Sequence, residues 1–296
     1  MTSTPTSTPK ISAIVASYNR ADSLMVALES VFAQTLQPVE VFVVDDCSPK
    51  FDIFEVMRPL EGRVKVLRNA KNSAVGHSRN HAVRHATGDY VAFLDDDDTW
   101  KPQKLERQLA AMGDANMSLC GFERMPDGST SIWPITEVRL DMLKRGNPYC
   151  PPSGFVCKRS LFDKEQFDET LRYGEDWDFL IRVAKYGPLR YVPEPLYNYQ
   201  MPQQSGTSMV NEIKQLEPTK LQVRYDATDK HREFLGEYSY NLRIATSTLA
   251  FIGTRRNRVP FIQQAIRKAG VIPTAHALAN GVVRAVRQRL GANPRM

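Results

Sequence analysis

The first hundred residues alternate between short apolar runs and segments in which apolar residues recur at helical spacing. Ile11 to Ser17 is a β-branched run of the kind that forms a buried parallel strand. A helix with Leu24, Leu28 and Val31 on one face is predicted next. Asp22 is the candidate cap at the start of this helix.

The same alternation continues to about residue 95. Further strands are predicted at Val39 to Val44, Val64 to Leu67 and Tyr90 to Leu94, and a helix is predicted at about Gly76 to Ala86. This alternation is typical of a doubly wound, mostly parallel α/β sheet flanked by helices. Such sheets bind ligands at the carboxyl ends of their strands, so polar residues at those ends are candidates for function.

Beyond Lys101 the pattern is less regular, and a helix near Pro102 is predicted first. The segments predicted after it are strands at Ser118 to Arg124 and Ser129 to Ile135, a helix at Glu137 to Lys144, and a return to the sheet at Pro151 to Cys157. Glu175 to Tyr186 has the pattern of an amphipathic helix, and Gly187-Pro188 closes it.

After about residue 203 the chain is predicted as helices separated by Pro218, Pro260 and Pro273. The opening M-T-S-T-P-T-S-T-P cannot bury enough apolar surface to order itself. We therefore predict a disordered lead-in at 1–9, an α/β domain at 10–203, and a helical, basic C-terminal region at 204–296.

The charge of the chain is distributed unevenly. The 296 residues carry a net charge of +6, but from Tyr238 onward there is no Asp or Glu and there are ten Lys or Arg. The remainder is therefore net negative, since +6 minus 10 is −4. Basicity is a property of the C-terminal region, and no interleaved aromatic residues support nucleic-acid binding there.

Several features indicate the compartment. No stretch approaches the ~18 consecutive apolar residues that span a bilayer. Met1 to Pro9 has neither the charged nor the apolar part of a secretion signal. The four cysteines contain no C-x-x-C pair, which argues against a zinc site or a disulfide framework. We expect a cytoplasmic protein with reduced thiols.

The strongest chemical signal is the acidic run Asp95 to Asp98, directly after the fourth predicted strand. Carboxylate oxygens suit Mg²⁺ or Mn²⁺ bound to a phosphate group. Successive side chains of an extended segment point opposite ways, so the four cannot all be ligands. The alternative is a solvated acidic turn in which Asp98 or Thr99 caps the helix near Pro102.

Two further candidates precede this run. Asp45 and Asp46 follow the second strand and could accept hydrogen bonds from a base edge or a ribose. They could instead form an Asx-turn into Ser48. Arg79 could bind a diphosphate through its fork of donors, or pair with surface acids.

Glu175 and Asp176 open the amphipathic helix that follows. A carboxylate in this position could act as a general base toward an acceptor hydroxyl. The helix dipole favours its ionised form at the N-terminus. The alternative is that both residues only complement the dipole and cap the helix.

Taken together, these motifs resemble the family 2 glycosyltransferases, which are inverting enzymes of the GT-A fold. The resemblance covers roughly Lys10 to Gln200 and keeps its order and spacing. The matching stretches are V-A-S-Y-N-R, V-V-D-D-C-S, N-x-x-x-G-x-x-x-N, A-T-G-D-Y-V-A-F-L-D-D-D-D-T-W and F-D-E-T-L-R-Y-G-E-D-W-D-F-L-I-R. Ser78 departs from the alanine that the family usually has.

The resemblance implies a role for each matching position and Mn²⁺ or Mg²⁺ as the cofactor. The nucleotide-sugar-binding residues would be Ser17, Tyr18, Asp45, Asp46, Arg79, Asp95 and Asp96. Asp97 and Asp95 would hold the metal, and Asp176 would be the catalytic base, with Glu175 and Trp177 in the acceptor site. A bystander or capping role stays open for Asp96 and Asp98, and a core role for Trp177.

The implied activity is transfer of a sugar from a nucleotide-diphosphate donor, expected to be a UDP-sugar, to a hydroxyl of a glycan or lipid-linked acceptor. Bacterial-type surface polysaccharide or glycoconjugate synthesis is the expected setting. The chain has no Q-x-x-R-W element, which favours single-sugar transfer over polymer extrusion. The alternative is a non-catalytic scaffold that binds a nucleotide sugar, and a homo-oligomer is left open.

The end of the C-terminal region has an amphipathic pattern. Val282, Val283, Val286 and Leu290 share one helical face, and the arginines lie largely off it. A basic amphipathic helix can lie on an anionic membrane, which would place the protein on the inner face of the cell membrane. The same stripe could instead pack on the α/β domain or on another subunit.

Overall fold

The computed structural model describes residues 8–201 and 209–289, with the backbone alone described at 209, 284–285 and 287–289. Residues 1–7 of the predicted lead-in, the boundary at 203 and the position of Leu290 lie outside these ranges. The chain divides into two compact units. The first comprises Met1–Thr170 and Glu175–Met201, and the second comprises Leu171–Gly174 and Pro202–Met296.

The strands of the first unit form one ten-stranded sheet within the described residues. They are β1 (Ile11–Ser17), β2 (Glu40–Asp45), β3 (Lys65–Arg68), β4 (Tyr90–Asp95), β5 (Thr99–Trp100), β6 (Met117–Met125), β7 (Thr130–Ser131), β8 (Glu137–Val138), β9 (Val156–Lys158) and β10 (Leu189–Gln200).

The sheet is mixed and mostly parallel, in the order β3-β2-β1-β4-β9-β6-β10-β5. Strands β3, β2, β1 and β4 are parallel to one another, and β6 is parallel to β10. The short β9 joins the two groups because it pairs antiparallel with both β4 and β6. The added strands β7 and β8 pair with β6 and β10.

Five helices accompany this sheet and six lie in the second unit, counted over the described residues. They are α1 (Ala21–Phe32), α2 (Ile53–Met57), α3 (Val75–Val83), α4 (Lys104–Met112) and α5 (Glu175–Ala184), followed by α6 (Met209–Gln215), α7 (Asp226–Lys230), α8 (Arg232–Leu235), α9 (Glu237–Thr248), α10 (Val259–Ala269) and α11 (Val271–Arg289).

Every residue of β1 and β2 is buried, so both faces of the sheet are covered there. That burial explains why these strands are continuous apolar runs rather than alternating ones. The predicted α/β class, a mostly parallel sheet flanked by helices, is confirmed.

Several local predictions were wrong. Asp22 does not cap α1; Arg20 occupies the cap position, and no side chain caps the helix there. Thr99 lies in β5, and α4 begins only at Lys104 without a side-chain cap, so Asp98 and Thr99 do not cap that helix. The helix predicted at 137–144 is β8 followed by a 3₁₀ helix, Leu140–Arg145.

Strand β10 was not predicted, although it is the longest strand of the described chain. Pro193 and Pro195 interrupt its pattern, and proline cannot donate a ladder hydrogen bond. The sheet accommodates them through register shifts between Val192 and Pro195 and between Pro195 and Asn198. The prolines therefore mark an irregular stretch of the strand rather than its end.

The second unit has an apolar core of its own. Its fully buried members include Leu221, Tyr225, Ile244, Ala245, Phe261 and Ala265. Tyr225 also forms a hydrogen bond between its hydroxyl and Thr248 Oγ1 at 2.7 Å. Among the described residues, no helix is long and apolar enough to cross a bilayer.

Candidate functional site

Three of the predicted site residues meet where parallel strands end. The register aligns Ser17 of β1 with Asp45 of β2, and Ala16 of β1 with Asp95 of β4. The carboxyl ends of β1, β2 and β4 therefore share one edge of the sheet, as the sequence predicted.

The chain turns sharply after β1. Asn19 has a φ of 58°, a left-handed conformation that asparagine adopts more readily than most residues. The Tyr18 amide donates to Asp96 Oδ2 at 3.0 Å, and the Asn19 amide donates to Ser48 Oγ at 2.8 Å. These bonds tie the end of β1 to the segments that follow β4 and β2. The Tyr18 side chain is left partly exposed at the edge of the sheet.

Asp45 and Asp46 are adjacent but have different partners. Asp45 is fully buried, accepts from the Ser48 amide at 3.1 Å, and pairs with Arg68 Nε at 3.2 Å. Asp45 thus closes the turn into Ser48, with the bond to the third residue rather than to the second as in an Asx-turn. Asp45 therefore fixes the turn that positions its neighbour.

Asp46 organises the loop before α3. Its carboxylate accepts from Asn69 Nδ2 at 2.8 Å, Asn72 Nδ2 at 3.0 Å and the Ser73 amide at 2.9 Å. Burial raises the pKa of Asp46, and the donors from Asn69 and Ser73 oppose that shift. The loop over residues 69–73 thus folds around one carboxylate.

Arg79 links the acidic run to the start of α5. Its guanidinium donates to Asp95 Oδ1 at 2.7 Å and to Glu175 Oε1 at 3.0 Å. The Arg79 side chain is 3% exposed, so its pair with Glu175 is shielded from water, whereas Asp95 is 28% exposed. Two acids 80 residues apart in the chain are therefore joined by one buried cation.

Helix α3 must approach closely to place Arg79 there. Gly76 allows this, because a Cβ at that position would lie 3.0 Å from Phe167 Cβ. The Arg79 guanidinium also lies over the Phe167 ring, 5.3 Å from its centroid.

Asp96 and Asp97 share a second cation. One nitrogen of Arg20 donates to Asp96 Oδ1 at 2.9 Å and to Asp97 Oδ2 at 2.7 Å. Burial raises the pKa of Asp97 to about 6, with repulsion from Asp96 and Asp95 adding to the shift and Arg20 opposing it. Arg20 therefore offsets only part of the rise in pKa that burial and the neighbouring carboxylates cause.

Asp98 faces away from this cluster. It accepts from Ser153 Oγ at 2.6 Å and from the Gln200 amide at 2.8 Å. Burial raises its pKa well above the ordinary value, and Asp95 and Asp97 add to the rise. Asp98 holds β10 and the Ser153 segment together.

The first turn of α5 carries the other predicted residues. Burial and repulsion from Asp176 raise the pKa of Glu175 to about 7, against the attraction of Arg79. Asp176 is half-buried, and its Oδ2 accepts from Asn147 Nδ2 at 2.7 Å. Trp177 is 2% exposed and donates from Nε1 to the Leu143 carbonyl at 2.8 Å. Its ring is not exposed for stacking on a sugar, so the structure supports its core role.

Sequence reasoning assigned no role to Arg20 or Asn147. Arg20 stands in the V-A-S-Y-N-R stretch and could have been suspected as a cation beside an acidic run. Asn147 lies in a segment without a recognisable motif. Its contact with Asp176 becomes visible only in three dimensions.

The residues present fit a divalent ion bound together with a diphosphate. Their carboxylates are hard oxygen donors, and the raised pKa of Asp97 reflects burial and negative neighbours that a cation would offset. No group of three or more His, Cys, Asp or Glu could hold a metal within the described part of the chain. Such an ion would need oxygens from the ligand as well, and phosphate-bound Mg²⁺ is commonly held in that way.

Comparison with known proteins identifies the relatives of this chain. The model of the family described as Glycosyl transferase family 2 matches residues 12–167. The succinoglycan biosynthesis protein ExoO of Rhizobium meliloti (strain 1021) is 30% identical over 213 residues, which cover 64% of this chain and 60% of ExoO. The chain therefore matches less than two thirds of that relative's length.

Solved structures share the fold at lower identity. Mannosyltransferase PcManGT from Pyrobaculum calidifontis, in complex with GDP-Man and Mn²⁺, superposes with a TM-score of 0.62 at 19% identity, covering 95% of this chain and 82% of that one. Residues 1–349 of S. aureus TarS, in complex with UDP-GlcNAc, give a TM-score of 0.59 at 18% identity, covering 97% and 93%. The predicted GT-A fold is confirmed.

Proposed function

Because the chain belongs to glycosyl transferase family 2, we propose that it moves a sugar from a UDP-sugar to an acceptor hydroxyl, with inversion, in surface polysaccharide or glycoconjugate synthesis. The observation that carries this proposal is the buried Asp95–Arg79–Glu175 chain. Through these two ion pairs, Arg79 connects the acids at the end of β4 with the acids at the start of α5. The UDP-GlcNAc bound to TarS and the role of ExoO in succinoglycan synthesis support the donor and the setting.

The donor side is built from the ends of β1, β2 and β4. Ser17, Tyr18 and Asp46 bind the nucleoside. The fully buried Asp45 supports them by fixing the turn that positions Asp46. Asp96 orients the segment after β1 through the Tyr18 amide. Arg79 binds near the diphosphate while it holds Asp95 in place.

Asp97, with Asp95, would hold Mn²⁺ or Mg²⁺. When the ion is bound, the charge that develops on the leaving diphosphate would be offset there. The Mn²⁺ in the PcManGT complex is consistent with this cofactor.

Asp176 is the proposed base. As the acceptor oxygen attacks the anomeric carbon, its proton passes to Asp176, and the bond to the diphosphate breaks with its electrons on the leaving oxygen. Glu175, bound to Arg79, lies beside it in the acceptor site.

A screen of nucleotide sugars for metal-dependent release of the nucleotide diphosphate tests the proposal. Asp97→Ala should abolish the metal-dependent rate and leave the protein folded. Asp176→Asn should retain donor binding and lose roughly 10²–10⁴-fold in transfer rate. Near-normal turnover in either variant would refute the corresponding assignment, and an inactive wild type with all donors would favour the scaffold alternative.

We also propose that the second unit contacts an anionic membrane, where a lipid-linked acceptor would be found. Along α11, Val271, Ile272, Val282, Val283 and Val286 are between 49% and 74% exposed. Ala277, on the opposite face, is buried in the core of the unit. The exposed stripe and the absence of acidic residues after Glu237 are the properties of a membrane-surface helix.

A further inference from the structure

The loop that precedes β9 is tied to the first turn of α5 at two consecutive residues. Trp177 Nε1 donates to the Leu143 carbonyl at 2.8 Å. Asn147 Nδ2 donates to Asp176 Oδ2 at 2.7 Å. The position of the Asp176 carboxylate is therefore set by this loop as well as by its own helix.

The Asn147 amide has partners on both its nitrogen and its oxygen. Its Nδ2 also donates to the Cys150 carbonyl at 2.7 Å. Its Oδ1 accepts from the amides of Tyr149 at 3.3 Å and Cys150 at 3.4 Å. A carbonyl and an ionised carboxylate only accept, and backbone amides only donate. The contacts therefore fix which end of the amide faces Asp176.

The charged and titratable groups around Asp176 come from three segments. Glu175 shares its helical turn, Arg79 of α3 binds Glu175, and the buried Cys150 thiol lies on the loop. Arg79 thus compensates Glu175, and Asn147 provides Asp176 with a neutral donor that favours an ionised carboxylate. Glu175 is therefore paired with a cation, whereas its neighbour Asp176 accepts from a neutral amide.

We propose that Asn147 is a positioning residue that holds Oδ2 of Asp176, so that Oδ1 is the oxygen presented to the acceptor hydroxyl. This inference rests on the proposed function, in which Asp176 is the base. The proton of the acceptor hydroxyl then moves to Oδ1 while the donor from Asn147 stabilises the charge on Oδ2 before transfer.

Two substitutions separate this role from simple support of the loop. Asn147→Ala removes the donor to Asp176 and the acceptor for the loop amides. Asn147→Asp is isosteric and keeps an acceptor for the Tyr149 and Cys150 amides, but it replaces the donor to Asp176 and to the Cys150 carbonyl with a negative charge. The readout is the split between kcat and the donor KM for Mn²⁺-dependent release of UDP from the UDP-sugar that the donor screen identifies.

We expect kcat at neutral pH to fall roughly tenfold or more in Asn147→Ala, with the KM for the donor unchanged. In Asn147→Asp the loss of kcat should be larger, because a second negative charge then faces the Asp176 carboxylate. The matched control is Asn241→Ala, which removes an exposed amide–carboxylate bond to Glu237 and should leave kcat unchanged.

UDP binding in the presence of Mn²⁺ and the thermal unfolding midpoint show whether each variant is folded. A folded Asn147→Asp with wild-type kcat, beside an impaired Asn147→Ala, would show that Asn147 only supports the loop and would overturn the inference. If Asp176→Asn nevertheless lost activity, the proposed function would still hold and only the role of Asn147 would be refuted. Retained activity in Asp176→Asn would instead remove the base on which both depend.

Discussion

Arg20 contacts two of the four aspartates that follow β4, and one of them, Asp97, is the proposed metal ligand. Arg20 occupies Asp97 Oδ2 and places a positive charge beside the position proposed for the ion. In the absence of the nucleotide sugar, Arg20 would therefore compete with the ion for Asp97. The oxygens of a nucleotide diphosphate add ligands for the ion and so shift the competition for Asp97 in favour of the ion.

Replacing Arg20 should reveal the competition directly. We expect Arg20→Gln to bind Mn²⁺ roughly tenfold more tightly than the wild type without nucleotide, because one charged hydrogen bond to Asp97 no longer has to break. Paramagnetic resonance of free Mn²⁺ in a titration at pH 8 measures the affinity, with Asp97 ionised. Arg58→Gln is the matched control for charge, since Arg58 is exposed and pairs with Glu55. Equal affinity in the two variants would show that Arg20 does not occupy the metal position.

At the residue scale, the sequence identified the functional side chains that lie at the ends of strands. Asp95 and Asp97 lie at the end of a continuous apolar run. Counting the predicted strands was therefore enough to place them at the edge of the sheet. Arg20 and Asn147 contact partners 77 and 29 residues away, and no local spacing encodes such contacts. The role of Trp177 could not be predicted from the sequence. An aromatic residue beside two acids can equally pack in the core or stack on a sugar.

At the scale of elements, α4 carries a feature that its sequence does not suggest. Lys104 is fully buried, and its Nζ is among the buried polar atoms of the described chain without a hydrogen-bond partner. It lies over the Trp100 ring, 4.4 Å from the centroid. Burial lowers the pKa of Lys104 to about 8. Its positive charge is therefore a cost of the folded state.

Lys104→Met should stabilise the protein. The folded-state pKa lies below that of an unfolded lysine, so the unfolded chain binds the proton more tightly and wild-type stability rises with pH from about 8 to about 10.4. We expect the free energy of unfolding to increase at pH 7 by on the order of 3 kcal/mol, and this gain to shrink toward pH 10. Urea unfolding at several pH values measures both. Arg107→Met, on the exposed side of the same helix, should change stability little. A gain independent of pH would mean that packing, not charge, is responsible.

The elements themselves were predictable in proportion to their regularity. Strands β1, β2 and β4 are uninterrupted apolar runs, and their bounds were found to within one residue. Strand β10 contains two prolines, and β8 has two residues, too few for any periodicity. Of the strand predicted at Ser129 to Ile135, only Thr130–Ser131 forms β7. Such elements form because the sheet provides an edge for them, which is a tertiary effect.

For the molecule as a whole, the C-terminal region combines exposed apolar side chains with an excess of positive charge, since no Asp or Glu follows Glu237. If it contacts anionic lipid, removing exposed basic residues should weaken binding without affecting the fold. Each basic residue near such a surface contributes about 1 kcal/mol. Arg256→Glu with Arg267→Glu should therefore reduce binding to phosphatidylglycerol-containing vesicles by tenfold or more, as measured by flotation.

Arg58→Glu with Lys185→Glu is the matched control, because it makes the same change of net charge at exposed residues of the first unit. Vesicles of phosphatidylcholine alone should bind neither variant nor the wild type appreciably. Equal losses in the two double variants would assign the effect to net charge, and no binding by the wild type would remove the membrane proposal.

The four residues Leu171–Gly174 belong to the second unit, although the chain on both sides of them belongs to the first. Arg172 pairs with Glu212 at 2.8 Å, and a Cβ on Gly174 would lie 3.1 Å from Ala227 Cβ. The segment ends directly before Glu175, where α5 begins. A single crossover in the sequence therefore cannot exchange the second unit whole. Recombination near residue 202 would combine residues 171–174 of one protein with the C-terminal region of another. Only C-terminal regions that co-vary with these four residues should be exchangeable between family members.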